Sequence, residues 1–139
     1  RDSLIDRGNY YLVKACESSQ ISKYHLEAGI AYWHTTPTDE NKWEYILRLY
    51  NQLIIIEYSS VIALNRTFAY GKVYGKEKAI VEAEKLGLQN NHYYHELLGY
   101  LYTDINNQKA IAHYQKAIAL SKSPNERATL QKQIEQLVK

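Results

Sequence analysis

Apolar residues recur along this chain three and four positions apart, the spacing of helices that bury one face. Leu4, Ile5, Gly8, Tyr11, Leu12 and Ala15 mark a first helix. Leu26, Ile30 and Trp33, with Ala28 and Ala31 beside them, mark a second. Trp43, Ile46, Leu47, Tyr50, Leu53 and Ile54 give a third. The fourth, from about Ser60 to Tyr74, carries Val61, Ile62, Leu64, Phe68, Ala69 and Val73 most of the way round, so it should lie between neighbours. A short fifth holds Ala79, Ile80, Ala83 and Leu86, and a sixth Tyr94, Leu97, Leu98 and Leu101. Ala110, Ile111, Tyr114, Ala117 and Ile118 mark a seventh, and Leu130, Ile134 and Leu137 an eighth. No stretch alternates apolar and polar residues over strand length between turn signals, so the expected fold class is all-α.

The breaks between these patterns agree. The two prolines, Pro37 and Pro124, fall between helices. Ser123-Pro124-Asn125-Glu126 reads as a capping box with Pro at the first helical position, Glu126 being expected to reach back to the cap. Gly75 and Gly87 suit helix C-terminal turns, and Asn106-Asn107 suits a tight link. Short links make consecutive helices antiparallel neighbours, so the chain is expected to fold as a stack of about four antiparallel helical hairpins. One hairpin is nearly explicit. His95-x-x-Leu98-Gly99-x-x-Tyr102, then Ala110-x-x-x-Tyr114-x-x-Ala117, then Pro124, is similar to the tetratricopeptide signature, with His95 where the repeat has Trp. Gly99, Ala110 and Ala117 would let two helices approach closely. Tyr70-Gly71-x-x-Tyr74 followed by Ala79-x-x-x-Ala83 echoes the pattern with a shorter link.

Composition narrows the classes. The 139 residues make one ordinary domain, large enough for a core without staples. Seventeen basic against fifteen acidic residues leave a net charge of +2, too little for a nucleic-acid footprint without clustering. Lys72, Lys76, Lys78 and Lys85 are diluted by Glu77, Glu82 and Glu84 and read as a solvated face. No apolar run approaches membrane-spanning length, and no apolar signal segment follows Arg1-Asp2-Ser3-Leu4. The chain contains no Met, and a C-terminal portion of a longer protein is the expectation. Cys16, the single cysteine, has no disulfide or zinc partner of its own kind, so it reads as a buried thiol in a cytoplasmic protein. Fourteen tyrosines against one Phe call for hydroxyl partners at the edges of a core, with aromatic contacts to a ligand as the other reading. His92 and His95 are three apart, but no H-E-x-x-H or Cys pair completes a zinc set, and His34 suits a helix end. Phosphate loops, nucleophile elbows and paired catalytic carboxylates are missing. The expectation is therefore a non-enzymatic protein with no cofactor and no metal.

Longer runs carry a more specific resemblance. Asp6-Arg7-Gly8 with Leu12 and Ala15 comes first, then Tyr24-His25-Leu26-Glu27-Ala28-Gly29-Ile30-Ala31-Tyr32-Trp33-His34. Trp43-Glu44-Tyr45-Ile46-x-x-Leu49-Tyr50 and Val61-Ile62-Ala63-Leu64-Asn65-Arg66 follow, and Tyr114-x-x-Ala117 and Asn125-Glu126-Arg127-x-x-Leu130 close the set. In order and spacing these resemble the C-terminal extension of a family of extracytoplasmic-function RNA polymerase sigma factors. Gly29 and Thr67 stand where that pattern has Ala. The resemblance spans nearly all of residues 1–139, read as a single tetratricopeptide-like helical domain, and implies a superhelical stack following two promoter-binding domains. It implies a regulatory, protein-binding role in transcription initiation. The partners would be the sigma factor's own promoter-binding domains, RNA polymerase or a regulatory protein, with DNA reached only through the upstream domains and no membrane involved. A free-standing tetratricopeptide scaffold that binds a peptide or partner helix is the alternative.

In such a stack the first helix of each hairpin lines the inner face. The second, fourth and sixth helices would supply it, placing Tyr32, Asn65, Arg66, Tyr70, Tyr94 and Tyr102 on the candidate partner-binding surface. Asn65 and Arg66 are weighed two ways: as groove residues that hold a peptide backbone or carboxylate, or as polar groups satisfied within the fold. The eighth helix, with one apolar stripe, reads as the solvating cap that a stack needs at its end.

Overall fold

The computed structural model describes the backbone of residues 11–36 and 40–139, and side chains from residue 20 onward with 21 and 37–39 excepted. Cys16 and the Leu4–Ala15 face therefore lie outside the described side chains. Among the described residues there are seven helices and no strand: α1 (Tyr11–Thr35), α2 (Lys42–Ile56), α3 (Ser60–Tyr74), α4 (Lys76–Lys85), α5 (His92–Tyr102), α6 (Asn107–Leu120) and α7 (Pro124–Leu137). Each helix packs on the next within two compact units, Arg1–Ser59 and Ser60–Lys139. The all-α class expected from the sequence is what forms, with consecutive helices packed as antiparallel neighbours inside each unit. None of the described helices is long and apolar enough to cross a membrane.

In the first unit α1 and α2 form one hairpin. The break expected after Ala15 does not occur: α1 runs unbroken from Tyr11 through the polar stretch Glu17–Ser22. That stretch holds no Gly or Pro, and nothing else in it ends a helix. Leu26 and Ile30 on α1 and Ile46, Leu47, Tyr50 and Leu53 on α2 are buried. Trp33 stacks on Tyr45 across the hairpin at 4.6 Å.

In the second unit α3 and α4, then α5 and α6, form hairpins; α3 also touches α5, and α7 packs on α6. Local chemistry places each boundary. Gly75, at φ 102°, turns the chain from α3 into α4, and Gly87, at φ 62°, closes α4 in the left-handed region that favours glycine. The Asn91 side chain accepts from the backbone N–H of Tyr93 at 2.8 Å and caps α5. Asn106 Oδ1 caps α6 by accepting from Lys109 N–H at 3.1 Å. At α7 only half of the expected capping box forms. Ser123 Oγ accepts from Glu126 N–H at 3.2 Å, but the Ser123 N–H donates to Ser121 Oγ instead of to the Glu126 carboxylate.

The core of this unit joins Leu64 of α3, Ala79, Ile80 and Ala83 of α4, Leu97, Leu98 and Leu101 of α5 and Ala110 of α6. A second cluster sets Tyr114 and Ala117 of α6 against Leu130 and Ile134 of α7. The small residues act as the repeat pattern demands. A Cβ on Gly99 would lie 2.6–2.8 Å from three atoms of the Tyr114 ring, so only glycine allows α5 and α6 to approach this closely. Thr67, an Ala in the sigma-factor pattern, is buried with its hydroxyl donating to Ala63 O at 2.9 Å, so the extra polar group is satisfied inside its own helix.

Candidate functional site

The second unit carries a groove of about 640 Å³. Val61, Leu64, Asn65 and Phe68 of α3 form one wall, and Tyr93, Glu96, Leu97 and Tyr100 of α5 form the floor. Thr129, Leu130 and Gln133 of α7 close the far side, with Tyr114 of α6 beneath. Helix geometry explains the floor. Positions 93, 96, 97 and 100 are spaced i, i+3, i+4 and i+7, one stripe of α5, while Tyr94, Leu98, Leu101 and Tyr102 face the core. Two large apolar side chains of the groove remain open to solvent: Val61 is 54% exposed and Tyr93 50%.

Charge differs between the two ends of the floor. At the C-terminal end of α5, Phe68 and Tyr100 pack at 5.3 Å, and Lys72 Nζ lies 5.4 Å and 5.8 Å from their ring centres. Lys76 Nζ lies 4.6 Å from the Tyr100 ring while donating to Thr103 O at 3.3 Å. Part of the lysine stretch thus holds cations against aromatic faces, whereas Lys85 pairs with its helix neighbour Glu82 at 3.0 Å. At the N-terminal end stand His92 and Glu96, one turn apart, joined by Glu126 from the first turn of α7. His92 Nδ1 is 3.4 Å from Glu96 Oε2 and 3.3 Å from Glu126 Oε1. Burial first, then the Glu126 carboxylate, raises the pKa of Glu96 above the usual carboxylate range. The Ser121 hydroxyl, donating at 2.6 Å, is the main cause that lowers that of Glu126.

The six residues expected at a partner surface are dispersed. Asn65 is exposed on the α3 wall of the groove. Arg66 and Tyr70 are half-buried on α3, the guanidinium 5.8 Å from the Tyr70 ring, and neither lines the groove. Tyr32 belongs to the first unit, 62% exposed and edge-on to Trp33 at 5.4 Å. Tyr94 and Tyr102 are core residues, 2% and 8% exposed, and do not reach the groove. The open stripe of α5 carries Tyr93 and Tyr100 instead, one position before Tyr94 and two before Tyr102. The last helix, read as a cap, also supplies a groove wall through Thr129, Leu130 and Gln133.

His95, standing where the tetratricopeptide pattern has Trp, is 1% exposed and fully committed. Its Nε2 donates to Gln89 O at 2.8 Å, and in the neutral ring Nδ1 then accepts from His113 Nδ1–H at 3.0 Å. This tautomer assignment follows from the carbonyl, which can only accept. Burial, then the neighbouring His95, lowers the His113 pKa to about 4, so it is neutral near pH 7. His113 in turn stacks parallel on Tyr102 at 5.7 Å, and the Tyr102 hydroxyl donates to Glu84 Oε2 at 2.8 Å. This polar chain ties α4, α5 and α6 together on the side of α5 away from the groove.

The described residues are thus all-helical, and the second unit carries an apolar groove with lysines beside one end and carboxylates at the other. No family model matches the chain. Over 129 residues it is 33% identical to an uncharacterized protein of Rhizobium meliloti (strain 1021), the match covering 89% of this chain and 30% of that protein. The chain therefore spans about 30% of the length of this relative.

Proposed function

We propose that this chain is the regulatory, protein-binding part of an extracytoplasmic-function RNA polymerase sigma factor, acting in the cytoplasm without enzymatic activity. The groove of the second unit would seat a helix or extended segment of a protein partner. That partner is one of the sigma factor's promoter-binding domains, RNA polymerase or a regulatory protein. The groove carries the reading: an apolar floor with exposed Val61 and Tyr93, bordered by Lys72 and Lys76 at one end and Glu96 at the other. Such a surface fits an amphipathic segment laid in by its apolar face. Opposite end charges would set its direction. Two of the sequence runs that resemble the sigma-factor extension, Val61–Arg66 and Asn125–Leu130, contribute to opposite walls of this groove. The relative's length beyond the matched part leaves room for on the order of two ordinary domains.

The test is transcription from a cognate promoter in vitro, with core polymerase and the intact parent protein, comparing wild type with Val61→Lys and Asn65→Lys. Both positions are exposed, so the fold should persist. The expected result is a severalfold change in initiation, with cross-links from Tyr93 to a promoter-binding domain or to polymerase that the variants lose. Unchanged initiation with no such cross-link would overturn the proposal. Binding of carboxylate-ended peptides under those conditions would favour the free-standing scaffold instead.

A further inference from the structure

We propose that His92, Glu96 and Glu126 form a binding site for a divalent cation of the zinc class at the N-terminal end of the groove. One ligand atom from each residue lies within 4.8 Å of the others. Distances of 3.3 Å and 3.4 Å from His92 Nδ1 to the two carboxylates are long for charge-assisted hydrogen bonds, which settle at about 2.7–2.9 Å. These two of the three ligand–ligand edges match the edge of a tetrahedron whose metal–ligand bonds are about 2.0–2.1 Å, which is about 3.3–3.4 Å. One imidazole nitrogen and two carboxylate oxygens, with a fourth position left to water, is a donor set that zinc accepts.

Two further observations favour a cation. Glu126 sits where a capping box would turn its carboxylate back to the Ser123 N–H, yet that N–H bonds Ser121 Oγ and the carboxylate turns to His92 and Glu96. The fold thereby holds two carboxylates together at sites only 25–29% exposed, an arrangement that calls for a proton or a cation between them. The surroundings are also those of a supported ligand shell. Ser121, 1% exposed, donates to Glu126 Oε1 at 2.6 Å, and Arg127 fixes Ser121 through two bonds to its carbonyl at 2.8 Å and 2.6 Å. The His92 ring packs on Tyr93 at 3.9 Å. Metal binding here is read without the groove's partner, and an occupied site would offset the two carboxylates that make this end of the groove negative.

Titration of the full chain with Zn²⁺ at neutral pH, against a chromophoric chelator, tests the proposal. One equivalent should bind, and His92→Gln, Glu96→Gln and Glu126→Gln should each weaken binding at least tenfold, in line with loss of one ligand of three. His25→Gln and His34→Gln, which alter exposed histidines of the first unit, should leave it unchanged. Co²⁺ in place of Zn²⁺ should give the intense visible bands of a four-coordinate ion, lost in His92→Gln. Far-UV circular dichroism checks that each variant stays helical. No saturable binding, binding that all three variants retain, or loss of binding in the first-unit variants alone would overturn it.

Discussion

Gly99→Ala isolates the contact that brings α5 and α6 together. On an open helix this change would stabilise by about 0.8–1 kcal/mol, because Ala loses less backbone entropy. Here the new methyl would meet Cδ1, Cε1 and Cζ of Tyr114 at 2.6–2.8 Å, about 1 Å inside ordinary contact. The ring cannot easily yield: Tyr114 is 6% exposed and backed by Ala117, Leu130 and Ile134. Overpacking of this kind costs about 1–3 kcal/mol, and with three close atoms the upper part of that range applies. The net is a destabilisation of about 1–2 kcal/mol, or roughly 5–15 °C for a unit of this size. Both tryptophans, Trp33 and Trp43, lie in the first unit, so far-UV circular dichroism follows all the helices while indole fluorescence follows the first unit alone. The circular dichroism midpoint should fall by that amount, and Tyr114→Leu should recover part of the loss in the double mutant through a favourable coupling. A Gly99→Ala variant as stable as wild type would refute the account of how the two helices meet.

Three other outcomes are expected. Ser123→Ala removes the one side-chain cap of α7 and should cost about 1 kcal/mol, read as a drop in urea midpoint. Leu98→Ala, at a position with no solvent exposure, should cost about 3–5 kcal/mol by leaving a cavity beneath α5. His113, neutral in the fold with a pKa of about 4 against its ordinary 6.5, gives stability that is fully present above pH 6.5 and lost as pH falls towards 4. The groups around it are His95 of α5, Glu84 of α4 and Lys109 and Lys116 of α6. Discounted for its partial exposure the loss is about 2 kcal/mol, measured as the difference between wild type and His113→Gln in urea melts at pH 7 and pH 4.5.

What could be read from the sequence was what local chemistry decides. Ser123, Asn106, Gly75 and Gly87 act within a few residues of themselves, so their types announce the helix ends. The Gly99, Ala110 and Ala117 spacing announces a close helix pair because only small residues permit one. The groove was harder to read because α5 is apolar nearly all round. Tyr93, Tyr94, Leu97, Leu98, Tyr100 and Tyr102 offer several stripes, and hydrophobicity alone does not say which one faces the core. Glu96 was the available signal, since a carboxylate between Tyr93 and Tyr100 marks the stripe that water reaches. The joining of His92 and Glu96 to Glu126 could not be read, because it depends on where α7 lands. The capping-box pattern pointed Glu126 elsewhere, and the competing acceptor, Ser121 Oγ, lies outside that four-residue motif.

The stacked pair of Tyr102 and His113 makes the α4–α5–α6 junction amphoteric. At its acidic edge the imidazole must take up a proton in a place that disfavours the cation. At its alkaline edge the phenol must lose one beside Glu84, and burial together with that carboxylate pushes its pKa up to about 12. A tyrosine raised in this way supports the fold fully below pH 10 and loses that support as pH rises towards 12. The same two rings therefore make the junction of three helices sensitive to proton activity from both sides. Tyr102→Phe would remove this residue's share of the alkaline sensitivity while leaving the acidic one in place, with Tyr94 still raised by burial and Glu84.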